Sequence, residues 1–148
     1  MADFAACTDL VKRYLQARVP LIVIRTVEPG RARDVVGTCA SELRQMGHFE
    51  FSRTEGFKDL LTGAVVDEET SLASALDIAQ RTYKSRSNVN VMFHDIEDLA
   101  EESATSRHLA EVVRLAQSRN GSLVLMTAGP VWTGLARLGM SVVLDVPS

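Results

Sequence analysis

A chain of 148 residues, 46% of them hydrophobic, has the size of one ordinary domain and enough apolar content for a core without a metal or disulfide scaffold. Its formal net charge of −3 gives no global attraction to nucleic acid or to an anionic membrane, and neither is expected as a partner. The amino terminus lacks a basic segment followed by an apolar one, and no apolar run reaches membrane-spanning length, so a soluble cytoplasmic protein is expected.

Asp3 is placed to cap a first helix whose Phe4, Cys7, Val11, Tyr14 and Leu15 recur on one face, ending before Val19-Pro20. Leu21 to Ile24 is a continuous apolar run, the pattern of a central strand covered on both faces. Pro29 suits the start of a second helix, with Ala32, Val35, Val36, Cys39, Leu43 and Met46 inward and Gly47 as its stop. His48-Phe49-Glu50-Phe51 alternates like a half-covered strand and reads as a sheet edge. Phe57, Leu60 and Leu61 suggest a short turn of helix, and Gly63 releases the chain into Ala64-Val65-Val66. A helix from about Thr70 carries Leu72, Ala75, Leu76, Ala79 and Tyr83 inward, and Val89 to Phe93 is the third strand. Leu109, Val112, Val113 and Ala116 mark a further helix from Thr105, closed by Asn120-Gly121. Ser122 to Thr127 is the fourth strand, Val131 to Leu138 a short apolar helix or turn, and Ser141 to Asp145 the fifth strand.

Strands separated by helices, too far apart for hairpins, predict a three-layer α/β domain over residues 1–148 with a mostly parallel five-stranded sheet. No internal repeat or low-complexity linker suggests a second domain. Cys7 and Cys39 fall in apolar helical patterns and read as buried reduced thiols. His48, His94 and His108 are too dispersed for a metal motif, and no metal or other cofactor is expected.

The segment after the first strand is where an α/β nucleotide-binding fold keeps its phosphate loop, yet no G-x-x-x-x-G-K-[ST] occurs there or elsewhere. Such a loop works because several backbone amides converge on phosphate oxygens while a Lys reaches the terminal phosphates. Thr26 to Arg33 offers Gly30, a Pro without an amide, an acidic Glu28 and no Lys. Arg25, Arg31 and Arg33 could meet an anion at the helix start, although solvation or pairing with Glu28 and Asp34 is the more ordinary state. After the third strand, Asp95 and Glu97 stand where a magnesium-binding carboxylate would lie, or form an ordinary acidic cluster at a loop. Thr127 ends the fourth strand and could face a ligand, or simply pack. There is no G-x-S-x-G elbow and neither Cys has a recognisable base beside it, so no catalytic residue is assigned. Arg107, Arg114, Arg119 and Trp132 are the interface candidates. Charged helical faces are usually solvated, and Trp132 could instead close the core under the last strand.

With these residues placed, the order of elements resembles the large α/β subdomain of an AAA ATPase, lacking the phosphate loop and the helical lid. More closely, the run from Tyr14 to Glu28 looks like the opening of the degenerate amino-terminal domain in a family of cyanobacterial, chloroplast and other bacterial AAA ATPases, with Val19 where that family commonly has an aromatic residue. Further matches are Phe51-Ser52-Arg53-Thr54-Glu55-Gly56, Val91-Met92-Phe93-His94-Asp95, Leu123-Val124-Leu125-Met126-Thr127 and Val143-Leu144-Asp145-Val146-Pro147. The resemblance implies a vestigial phosphate-loop position at Thr26 to Arg33, a Walker B-like strand end at Asp95 and a sensor-strand end at Thr127. In that family a catalytic AAA module follows this domain, and residues 1–148 themselves contain no such module, as expected either of a small separate protein or of a domain cut from a longer parent. The implied role is non-catalytic self-association or docking to another protein, such as an AAA ATPase. The alternative is a nucleotide-responsive regulator with weak ATP or ADP binding. A small hydrolase using Asp95 is the weakest option, since no nucleophile, base or clamp converges on it.

Overall fold

The computed structural model describes residues 3–144. In chain order the elements are α1 (Phe4–Gln16), β1 (Leu21–Arg25), α2 (Pro29–Glu42), β2 (Gly47–Ser52), β3 (Gly56–Asp59), β4 (Val65–Asp67), α3 (Leu72–Ser85), β5 (Val89–Phe93), α4 (Ala104–Ser118), β6 (Ser122–Thr127), α5 (Thr133–Ala136) and β7 (Met140–Val143). They build one seven-stranded sheet in the order β4-β3-β2-β5-β6-β1-β7. Five neighbouring strands, β2, β5, β6, β1 and β7, pair in parallel, and β3 and β4 add an antiparallel extension beyond β2.

The expected five-stranded sheet is therefore too small by two strands. The segment expected as a turn of helix at Phe57, Leu60 and Leu61 contains β3, because Gly56 makes a tight left-handed turn at φ +78° that sends the chain back along β2. A Cβ on Gly56 would lie 2.4 Å from the Asp67 carbonyl, so only glycine fits this approach of β3 and β4. Phe57 then enters one core and Leu60 the opposite one. It follows that β2 is an interior strand with β3 on its other side, where the alternation of His48-Phe49-Glu50-Phe51 had suggested an edge. Its polar side chains are covered: His48 Nε2 donates to the Leu43 carbonyl at 2.8 Å, and Glu50 is satisfied by partners described below. Two boundaries also move. Helix α2 stops at Glu42, short of Gly47, while Leu43 and Met46 stay buried beyond it. The last strand begins at Met140, and Asp145, Val146 and Pro147 lie outside the described residues.

Alternation along the central strands divides the core between the two faces of the sheet. Leu21 and Val23 of β1 join Val91, Phe93, Leu123 and Leu125 beneath α3 and α4. Ile22 and Ile24 join Met92, Val124 and Met126 beneath α1 and α2. Each fully buried Val, Leu or Ile contributes about 1.5–3 kcal/mol relative to exposure, which makes these continuous apolar strands the main source of stability. Local signals fix the helix ends. Asp3 Oδ1 accepts the Ala6 N–H at 2.8 Å, and Ser103 and Ser106 form a reciprocal capping box on α4. Helix α4 closes with Asn120 left-handed at φ 56°, where the Gly121 and Asn120 amides reach back to the carbonyls of Ala116 and Gln117.

Candidate functional site

Because β1, β2, β5 and β6 are parallel, their carboxyl ends at Arg25, Ser52, Phe93 and Thr127 come to one edge of the sheet. This is the edge where α/β sheets place ligands. Between the end of β1 and the start of α2 stand only Thr26, Val27 and Glu28. Two of their amides are taken up within the chain. The Thr26 amide donates to the Thr127 carbonyl at 3.0 Å, and the Glu28 amide to Thr26 Oγ1 at 2.9 Å. Pro29 has no amide to offer, and the amides of Arg31 and Ala32 bond to the Glu28 carbonyl. Gly30 is exposed in the first turn of α2.

The arginines of this segment turn toward acidic and aromatic groups of the chain itself. Arg31 lies 3.7 Å from the Glu28 carboxylate and 5.8 Å from the centroid of the Phe4 ring on α1. Arg33, one turn into α2, reaches across to β2, where Nη2 donates to Glu50 Oε2 at 3.1 Å and Nε lies 3.4 Å from Oε1. On the other side of the same carboxylate, His94 Nε2 donates to Oε1 at 2.8 Å. Glu50 thus joins α2, β2 and the end of β5, with its side chain only 4% exposed. Burial by itself would push the Glu50 carboxyl up, but the hydrogen bonds and charges of His94 and Arg33 outweigh it and hold it below the ordinary range. Beside this cluster is an open depression of about 550 Å³ lined by Arg33, Glu50, Thr54, Lys58 and His94 among others.

Asp95 and Glu97 are both exposed just past β5, and Asp95 adopts a left-handed backbone at φ 45°. Ile96 between them is buried, its amide bonded to the Met126 carbonyl, which seats the segment beside the end of β6. Thr127 is buried, and its hydroxyl lies 3.3 Å from the Gly129 amide. Of the residues singled out in the sequence, the structure joins Thr26 with Thr127 and Glu28 with Arg31, and carries Arg33 away to Glu50. Arg107 and Arg114 lie two turns apart on the exposed stripe of α4, Arg107 being 3.8 Å from Glu102. Arg119, at the end of α4, is half-buried. Trp132 is half-buried against the α3–α4 core, its amide on the Leu99 carbonyl and its ring over Gly134.

Sequence reasoning missed Glu50 as the centre of this edge and left His94 as an ordinary polar residue. The available signal was a lone carboxylate in an otherwise aromatic strand, but its partners stand 17 and 44 residues away. Among the described residues, no group of His, Cys, Asp or Glu is placed to hold a metal ion, and no helix is long and apolar enough to cross a membrane.

Comparison with curated proteins gives no match. The family model described as SpoVK-like AAA ATPase, N-terminal domain, matches residues 7–144, from the first helix to the end of the sheet. The parallel strands, the edge that gathers Thr26, Asp95 and Thr127, and this match over almost the whole length agree: the chain belongs to the SpoVK-like AAA ATPase N-terminal domain family.

Proposed function

We propose that this domain is a non-catalytic assembly or docking module that works with AAA ATPases, either by binding further copies of itself or by engaging an ATPase partner. The observation that carries the reading is the three-residue connection from β1 to α2, in which the Thr26 and Glu28 amides are engaged within the chain while Arg31 and Arg33 pair with Glu28 and Glu50. Such a turn has too few amides to converge on a polyphosphate, while the scaffold around it is complete. What the domain offers a partner is then its surface, including the Arg107 and Arg114 stripe, Arg119 and Trp132. The short matches to the cyanobacterial and chloroplast type, such as Val91 to Asp95, support a place near that branch. Light scattering across protein concentration, alone and with an AAA ATPase, tests the proposal. A particle that stays monomeric and binds no ATPase would refute it.

A second reading, weak and regulatory ATP or ADP binding, is favoured by the open depression beside Arg33 and His94 at the strand ends. In it Thr26, Glu28, Gly30, Arg31, Arg33, Asp95, Glu97 and Thr127 are the contact candidates. Titration calorimetry with ATP, ADP and magnesium separates the two, since no saturable heat at millimolar nucleotide removes the second.

A further inference from the structure

We propose that the two edge strands of the sheet are complementary halves of one self-association contact, in which β4 of one copy pairs antiparallel with β7 of the next. This rests on the assembly role proposed above and assigns that role a surface.

Five large apolar side chains are strongly exposed among the described residues, and four of them lie on these two strands. Val65 and Val66 of β4 are 56% and 52% exposed, and Met140 and Val143 of β7 are 46% and 41% exposed. An edge strand with free backbone groups is a template for another strand, and proteins usually guard it with Lys, Pro or an inward charge. Met140-Ser141-Val142-Val143 contains no charged residue and no Pro, and Val65-Val66-Asp67 contains neither Lys nor Pro, its protection being its shortness, the register shift at Phe57/Lys58 and Asp67 at its carboxyl end, which leaves both valines open.

Charge selects the partner and the direction. The carboxyl end of β4 runs into Asp67, Glu68 and Glu69, and Asp77 of α3 lines the same surface as Asp67 and Glu69, with Arg81 its one basic residue. The amino end of β7 follows Arg137, which is exposed. Gly139 packs directly on the Leu21 carbonyl, so this end of β7 lies at the start of β1, just after the basic end of α1 with Arg13 and Arg18. Antiparallel pairing of β4 with β7 sets Asp67 to Glu69 beside Arg137. Pairing β4 with β4 would hold two acidic segments around one three-residue ladder, and pairing β7 with β7 would set Arg137 beside Arg137 if parallel and beside the Val143 end if antiparallel, away from the acids of β4 in both cases. So short a ladder supplies few hydrogen bonds, so the contact depends on the apolar and ionic groups and on protein concentration. Each joined pair leaves one β4 and one β7 free, so the contact propagates into a ring or a filament.

The test uses two variants of the full chain, Val66→Lys and Val143→Lys, both at exposed positions, with circular dichroism and thermal melts to show that each is folded. Wild type is expected to gain mass with concentration in light scattering and to lose it as salt is raised. Each variant alone should remain monomeric. Their equimolar mixture should form a particle of twice the monomer mass that grows no further, because each variant retains one working edge. A second pair, Val65→Lys and Met140→Lys, repeats the measurement if either first variant is unfolded. The proposal is overturned if wild type is monomeric throughout, if either variant alone assembles like wild type, or if the mixture stays monomeric. Assembly that ignores these substitutions, or a monomer that still binds an ATPase, would remove this surface and leave the assembly role standing.

Discussion

Replacing Glu50 by Gln removes one buried charge while keeping the size and shape of the side chain, so it isolates what that charge contributes. A hydrogen bond to a charged group is worth roughly 1.5–3 kcal/mol against about 1 for a neutral one, so the His94 contact should weaken by about 1 kcal/mol. Arg33 has a side chain 37% exposed and can regain water, so the loss of its pair is discounted to about 1 kcal/mol. The sum, about 2 kcal/mol at neutral pH, corresponds to a fall in Tm of roughly 4–8 °C for a domain of this length. The effect must depend on pH with a definite sign. The folded carboxyl titrates below its unfolded value of about 4.3, so its contribution is present above that pH and lost as pH falls through the lower folded value. Burial pushes the His48 pKa down against the opposing influence of its Leu43 hydrogen bond and Asp59, but this acts on both proteins alike and cancels in the comparison. Urea unfolding of wild type and Glu50→Gln should therefore differ by about 2 kcal/mol at pH 7 and converge as the solution is acidified below pH ~4. A variant as stable as wild type at pH 7, or a difference that does not shrink on acidification, would refute the account of Glu50 as an ionised tie between α2, β2 and β5.

Three further outcomes follow from the packing. Tyr83→Phe removes the hydroxyl that donates to the Ser122 carbonyl at 2.5 Å, and should cost about 1 kcal/mol in denaturant unfolding with no change in oligomeric state. Gly139→Ala places a Cβ 1.8 Å from the Leu21 carbonyl, a backbone atom that no rotamer change can move. Separating β7 from β1 to accommodate it should cost about 3 kcal/mol, read as a lowered Tm, and an unchanged melt would contradict the register of these strands. Burial pushes the Cys7 thiol up to about 11 and the Cys39 thiol up to about 12, so both should resist alkylation in the folded protein at pH 8 and react on unfolding. Rapid labelling of either under native conditions, followed by mass spectrometry, would show the α1–α2 core to be more open than described.

Much of the fold could be read because its strongest determinants are local. Leu21 to Ile24, Val89 to Phe93 and Ser122 to Thr127 are apolar on both faces, and each became a central parallel strand. The caps at Asp3 and Asn120 were equally legible, since they need only one side chain or one left-handed residue. The hairpin of β3 and β4 was not. Phe57, Leu60 and Leu61 have helical spacing, but Phe57 and Leu60 serve opposite cores, and only the return along β2 reveals this. Polar content misled in β2, where His48 and Glu50 suggested water and proved to be buried among partners from other elements. The same distance in sequence concealed the Arg33, Glu50 and His94 cluster, because pairing between remote residues leaves no periodicity in one chain.

The turn of Thr26, Val27 and Glu28 also limits how this scaffold could change. A phosphate loop of the G-x-x-x-x-G-K-[ST] type spans about eight residues, and here the strand and the helix are already joined by three. Writing Gly, Lys and Ser into positions 26 to 33 would change side chains without supplying the contour length needed to wrap a phosphate, and most of them would fall inside α2. A loop of that type would have to be gained by insertion, with α2 displaced to make room, so single substitutions in this turn would not supply it.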